Sequence, residues 1–348
     1  VVDPAPRRAP LVPLLLIAVI ALVVSLPAAT MFGPASVSFS DVVEVWRGRL
    51  AGDAVTTPVE RIVWNIRAPR VVLAAIVGAG LAVAGTVVQT LVRNPLADPY
   101  LLGVSAGASV GATAVITLGV LAAAGTWALS VGAMLGAVIA ATLVFGVALA
   151  QGGLTPLRLV LTGTVMAAAF SAVASYLVFR SSEPQMAQGV LFWLLGSLAR
   201  ASWEQVALPL MVLLASLTLL WFLRGWLDGL LSGADVATAL GVPVVRLRVL
   251  LFVLQAVLVG VMVAIAGGIG FVGLIVPHMA RLLVGPLHAR MLPVGALFGA
   301  LFLVWVDVAA RVLAPPQDVP LSVVTGIVGA PVFLVLLGRR RYRFGGES

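Results

Sequence analysis

Few residues in this chain are of types that could do chemistry. His278 and His288 are its two histidines, and imidazole is a common ligand for metals and haem iron. Both flank a Pro/Gly corner beside Arg281 and Arg290. No acid-rich stretch lies nearby to orient them, so a structural or gating role is expected rather than metal ligation. Asp307 is the acid deepest in an apolar context, where a proton-coupled carrier would keep a carboxylate. Arg311 follows four residues later, the spacing of an ion pair on one helix face, and structural pairing is the expectation. Gly103-Val104-Ser105-Ala106-Gly107 has the G-x-S-x-G form of a nucleophile elbow. That elbow needs a strand–turn–helix, whereas this run is glycine-rich within an apolar stretch, so it reads as a packing surface.

Composition sets what must position these residues. The chain is 61% hydrophobic and 10% charged, whereas a soluble domain carries about 25% charged residues. Apolar runs near the ~20 residues that cross a bilayer as helix, without barrel-type alternation, predict an all-α polytopic membrane protein. Cysteine is absent, which excludes disulfides and thiolate sites. Lysine is absent too, which excludes a Walker A phosphate loop and Schiff-base chemistry. If ATP drives this protein, a partner subunit binds it together with Mg²⁺, and this chain holds no cofactor. The net charge of +8 reports arginine-rich cytoplasmic loops and not nucleic acid binding.

In chain order, Arg7-Arg8 precede an apolar run, Leu11–Met31, too long for a signal-peptide core and read as an uncleaved first span. Residues 32–69 leave the membrane, with Ser40-Asp41 starting a surface helix. Further spans are expected over 71–92, 100–118, 121–150 and 159–179. An interfacial segment, 180–204, has Trp193 and Trp203 at headgroup level. More spans follow over 206–223 and 249–266, then a Gly-broken stretch that runs into Pro277, then 293–306 and 321–337. That makes about ten, all within one domain over 1–348. Arginine clusters at both ends place both termini in the cytoplasm, and this topology puts the whole excess of +8 on that side.

Between the sixth and seventh spans, 224–248 is a polar interval on the cytoplasmic side. Ser232, Gly233 and Asp235 read as a helix start, Ala234–Leu240 as the helix, Gly241 as its C-terminal cap and Pro243 as its stop. On the opposite side Arg61, Arg67, Arg70, Arg200 and Arg311 serve singly as headgroup anchors. As a set they could hold carboxylates of a soluble protein through bidentate contacts.

Two segments carry a family resemblance. Residues 93–107, RNPLADPYLLGVSAG, and 268–281, GIGFVGLIVPHMAR, closely resemble the two signatures of FecCD-type permeases. These belong to ATP-binding-cassette importers for iron chelates (ferric siderophores, haem) and vitamin B12. Ile66–Arg70, Phe192–Leu198, Val324–Gly326 and Gly329–Pro331 match as well. The resemblance implies a type II importer permease of ten helices. It implies a second permease subunit, here as a homodimer, two cytoplasmic ATPases and a periplasmic or lipoprotein binding protein, in the bacterial inner membrane. It locates the coupling helix on 234–245, with Ala234, Asp235, Ala237, Leu240, Gly241, Val242 and Pro243 as ATPase contacts. Binding-protein contacts fall on Arg67 and Arg70 and, by looser match, on Arg61 and Arg311. Gating positions fall on Asn94, Pro95, Asp98, Pro99, Gly270, Gly273, Pro277, His278 and Arg281. One departure stands out: where relatives read G-x-DHR, this chain has Leu287 before His288. By the form of residues 196–198 and 269–271, an iron chelate is the expected substrate and cobalamin the alternative. A proton-driven carrier is the rival of a different class.

Overall fold

Uncharged runs have one way to satisfy their own backbone in a bilayer, the intrahelical hydrogen bond. The computed structural model, which describes residues 9–54, 56–181 and 183–339, follows it, and no strand occurs among the described residues. Among the described residues, seven helices are long and apolar enough to cross a membrane, and three shorter apolar helices, Val104–Leu118, Val272–Val284 and Leu321–Val335, bring the bundle to the expected ten. The terminal clusters Arg7-Arg8 and Arg340-Arg341 lie outside the described residues.

The elements are α1 (Leu11–Ala29), α2 (Phe39–Ala51), α3 (Ala68–Leu91), α4 (Val104–Leu118), α5 (Ala128–Ala150), α6 (Pro156–Arg180) and α7 (Pro184–Leu194). Then come α8 (Ala207–Phe222), α9 (Arg224–Leu231), α10 (Ala234–Ala239), α11 (Val244–Ala266), α12 (Val272–Val284), α13 (His288–Val312) and α14 (Leu321–Arg339). α3 is the hub. It is buried along almost its whole length and packs against α11, α12 and α13. Glycines make this possible: a Cβ on Gly78 would collide with the Gly299 carbonyl of α13, and one on Gly85 with the Gly273 carbonyl of α12. The glycines of α4 act likewise. Gly107 and Gly111 face Gly136 and Gly132 of α5. Ser105 therefore sits on a packed helix and not at an elbow.

Several boundaries differ from expectation. The cap of α2 is Ser38, in a capping box with Asp41, and not Ser40. Pro58–Glu60, capped by Thr57, leads through a π-turn at Arg61–Arg67 directly into α3, so these arginines ride on helix and not on loop. Pro277 and Pro293 lie inside α12 and α13. The last spans are longer than the proline positions suggest, because a buried neighbour can serve the carbonyl that a proline leaves unpaired. α13 likewise runs on past Asp307 and Arg311 to Val312.

If the glycine seams set the packing, Gly85→Ala lowers stability by about 1–3 kcal/mol through overpacking. Gly146→Ala, on a helix with open space around it, is neutral or slightly stabilising. Thermal unfolding of the purified protein in detergent separates the two.

Candidate gating corner and coupling surface

Each family-like segment begins as an irregular stretch folded into the bundle and runs into a helix, α4 or α12. After α3 ends, the chain turns back inward: Gly273 lies against both Pro99 and the Leu81 carbonyl. Leu81 is ten residues before the end of α3, which at 1.5 Å per residue puts Pro99 about 15 Å along that helix from its end. Backbone polar groups at that depth need partners inside the protein. Tyr100 supplies two, its hydroxyl donating to the Ile269 carbonyl at 2.9 Å and accepting from the Ile269 N–H at 2.9 Å. Gln255 of α11 donates to the Pro99 carbonyl at 3.0 Å. Ser322 donates to the Gly268 carbonyl at 2.7 Å and accepts from Gly270 N–H at 3.3 Å.

Gln89, buried on α3, joins the two segments. Its amide nitrogen makes long contacts of 3.4 Å to the carbonyls of Ala97, Gly273 and Leu274, and its oxygen accepts from Arg281 Nη2 at 3.2 Å. The Gly273 carbonyl is the one that Pro277, four residues on, cannot serve. Within the first segment, Asn94 accepts from Leu96 N–H at 2.9 Å and Asp98 from Tyr100 N–H at 2.8 Å, two local turns that shape the corner around Pro95 and Pro99. Pro99, Gly273, Pro277 and Arg281 thus meet at one junction around Gln89, with Gly270 at its edge, whereas Asn94 is exposed and, with the half-buried Pro95 and Asp98, shapes the corner leading into it. His278 is buried on the same helix, α12. No group of three metal-binding side chains occurs among the described residues. Gln89 and Gln255 were not singled out from sequence, although a lone amide in an apolar span is itself a signal.

The 224–248 interval holds two helices where one was expected, α9 and α10. Gly233 (φ 120°) starts α10 without any side-chain cap, so Ser232 is not its N-cap, and Gly241 (φ 78°) ends it as predicted. Ala237 is 0% exposed and pins α10 to the bundle, and Val242 is buried beside it. Asp235 and Gly241 face outward. Val236, 48% exposed, and Leu240, 70% exposed, form an apolar stripe one turn apart on the open face. Ala234 and Pro243 are half-buried. Of the residues read from sequence as ATPase contacts, Ala237 and Val242 are buried and do not face outward, whereas Val236, not among them, does.

At the opposite end, Arg67, Arg70 and Arg311, read from sequence as binding-protein contacts, are buried and engaged within the chain. Arg67 donates to the carbonyls of Thr30 and Met31 at 2.9 Å and of Ala35 at 2.5 Å. Arg70 bridges Asp307 at 2.8 Å and Asp318 at 2.7 Å. Arg311 pairs with Asp307 at 3.1 Å, as its i, i+4 spacing predicted, and donates to the Phe32 carbonyl at 2.8 Å. Only Arg61 of the four is exposed.

An all-helical bundle with irregular backbone buried at its centre, a deep carboxylate paired with arginines and a short apolar-faced helix at one end has the form of a membrane transport permease. The chain belongs to the FecCD transport family, whose model matches residues 17–339. It is 39% identical over 282 residues to the Fe(3+) dicitrate transport system permease protein FecD of Escherichia coli K12, across 80% of this chain and 86% of that protein. It is 43% identical over 284 residues to the cobalamin import system permease protein BtuC of Halobacterium salinarum, across 81% of this chain and 74% of that protein. A solved structure described as a metal-chelate type ABC transporter in an inward-facing conformation matches with a TM-score of 0.83 at 32% identity, covering 94% of this chain and 99% of that one. The chain is thus an ATP-binding-cassette importer permease of the group that takes iron chelates, haem or vitamin B12.

Two substitutions test the geometry. Tyr100→Phe leaves the Ile269 N–H and carbonyl without their partner and costs about 1–3 kcal/mol, read as a lower unfolding temperature and faster amide exchange at Ile269. Asp307→Ala strands Arg311 as a buried charge and leaves Arg70 with Asp318 alone, and costs about 3–5 kcal/mol, read by the same unfolding assay.

Proposed function

We propose that this chain is the membrane subunit of an importer that passes an iron chelate, a ferric siderophore or haem, across the bacterial cytoplasmic membrane by alternating access. A periplasmic or lipid-anchored binding protein delivers the chelate. Two copies of the chain enclose the pathway, and two ATPase subunits bind ATP and Mg²⁺ on the cytoplasmic side, where both termini also lie. The observation that carries this reading is the outward stripe of Val236 and Leu240 on a helix whose other side is anchored by Ala237. An apolar stripe on a helix at the bundle's end suits a groove on a soluble partner, and the arginine bias of the chain favours the cytoplasm for that end. Since no lysine is available for a phosphate loop, the energy source sits on that partner.

The mechanism follows from this arrangement. ATP binding draws the ATPases together, α10 moves with them, and the junction of residues 97–103 and 267–281 redirects the helices that line the pathway. Arg61 remains the exposed candidate for contact with the binding protein. Arg67, Arg70 and Arg311 act behind it by holding residues 30–35 and Asp318 in place. For substrate, an iron chelate is supported by the ferric dicitrate permease relative and by the metal-chelate type neighbour. Cobalamin is the second reading, favoured by the cobalamin import relative.

Leu240→Glu and Val236→Glu are expected to weaken association with the ATPase about tenfold or more, as loss of an interface anchor does. Uptake and binding-protein-stimulated ATP hydrolysis then fall together while the unfolding temperature holds; unaltered uptake would remove α10 from the coupling role. Substrate is decided by uptake of radiolabelled ferric siderophore, ferric citrate, haem and cobalamin in a deletion strain. Loss of cobalamin uptake alone would overturn the iron-chelate reading.

A further inference from the structure

Helix α13 begins with a leucine where its cap belongs. Leu287 holds the N-cap position in an extended conformation (φ −68°, ψ 128°) and makes no side-chain cap hydrogen bond. Helices usually place Ser, Thr, Asp or Asn there, because the N–H groups of the first turn have no partner within the helix. The acceptor comes instead from α9: Asp228 Oδ1 takes the His288 main-chain N–H at 2.9 Å and also lies 2.6 Å from the His288 ring Nδ1.

The ring's other nitrogen, Nε2, lies 2.8 Å from Thr90 Oγ1 on α3, and that hydroxyl lies 2.8 Å from the Thr86 carbonyl. Each ring nitrogen thus has a partner, Asp228 at Nδ1 and Thr90 at Nε2, and His288 joins α9 to α3 as well as to its own helix. His288 is 1% exposed and Asp228 28%. Burial would raise the Asp228 carboxyl, but the hydrogen bonds from the His288 ring and main chain, with the charges of His288 and Arg224, bring it below the ordinary aspartate value. With the folded value depressed, the cap is fully formed above the ordinary aspartate range and is lost only as pH falls through the lowered value.

The position of this tether gives it meaning. Asp228 sits on the helix directly before α10, with Leu227 and Leu230 of α9 buried in the core on either side of it. α10 starts from Gly233, whose N–H bonds back to Leu230. We propose that Asp228 is a positioning residue for coupling: by capping α13 from another element and engaging His288, it makes the α9–α10 segment move as one body with α13 and α3. This rests on the reading of α10 as the ATPase-facing helix.

The test compares wild type, Asp228→Ala, and Asp228→Ala combined with Leu287→Asp. The new aspartate gives α13 a cap of its own and leaves α9 untied. In the isolated permease, Asp228→Ala is expected to speed amide exchange in the first turn of α13 by about 2- to 30-fold, the range of a lost cap, and the double variant restores wild-type protection. In proteoliposomes with the ATPase and the binding protein, both variants move fewer substrate molecules per ATP hydrolysed, by about fivefold or more, as a lost coupling between sites implies. Restoration of the transport ratio by Leu287→Asp would make Asp228 a mere cap and overturn the proposal, as would a wild-type ratio in Asp228→Ala. If Asp228→Ala alone does not fold, the double variant carries the test. Exchange is read without partners, so a wild-type complex that fails to hydrolyse ATP sinks the functional reading separately.

Discussion

Irregular backbone inside a bilayer-sized bundle is tolerable only where protein supplies every partner, and this chain buries two such stretches against each other. Each solves the other's problem. The hydroxyl of Tyr100 closes both polar groups of Ile269, while Gln89 reaches across from α3 to carbonyls on both sides. Pro277 becomes tolerable because the carbonyl it orphans has that amide beside it. The tightness of α3 against α12 and α13 follows, since a side chain in place of Gly85 would hold the two stretches apart. The transport hypothesis depends on this junction, because it is the structural unit through which a push at one end can reach the helices around it.

Charge at the opposite end obeys the same rule. Asp307 is fully buried and sits between two arginines from different parts of the chain, and Arg70 extends the pairing to Asp318. Replacing Asp307 leaves Arg311 without its acid, which is why such a cluster fixes geometry even where its net stabilisation is small. Arg311 ties this cluster to the Phe32 carbonyl, and Arg67 separately holds the carbonyls of Thr30, Met31 and Ala35.

Spans were legible because apolar runs of bilayer length have no other stable conformation, and the stop of α10 was legible because Gly241 and Pro243 act locally. The Asp307–Arg311 pair was legible for the same reason, being four residues apart. What escaped was non-local. Asp318 and Arg70 are separated by 248 positions and Asp228 and His288 by 60, so no window shows them as partners. Arginines that look like a surface set in sequence are turned inward by acids that only folding brings near. Pro277 and Pro293 were read as ends because the rule against proline in helices assumes no neighbour to satisfy the freed carbonyl. Only three-dimensional contacts separate Ala237, as anchor, from Val236 and Leu240, as face.

Glycine seams have a mechanical consequence. Where α3 meets α13 at Gly78 and Gly299, and α12 at Gly85 and Gly273, backbones touch with no side chain between them. Such contacts have no lubricating layer: sliding by one residue would drive a neighbouring side chain into a carbonyl. The central helices therefore behave as a keel, stiff along every seam. Deformation during a transport cycle falls to the lightly embedded helices around it, among them α6 and α8, most of whose surfaces lie open in the single chain.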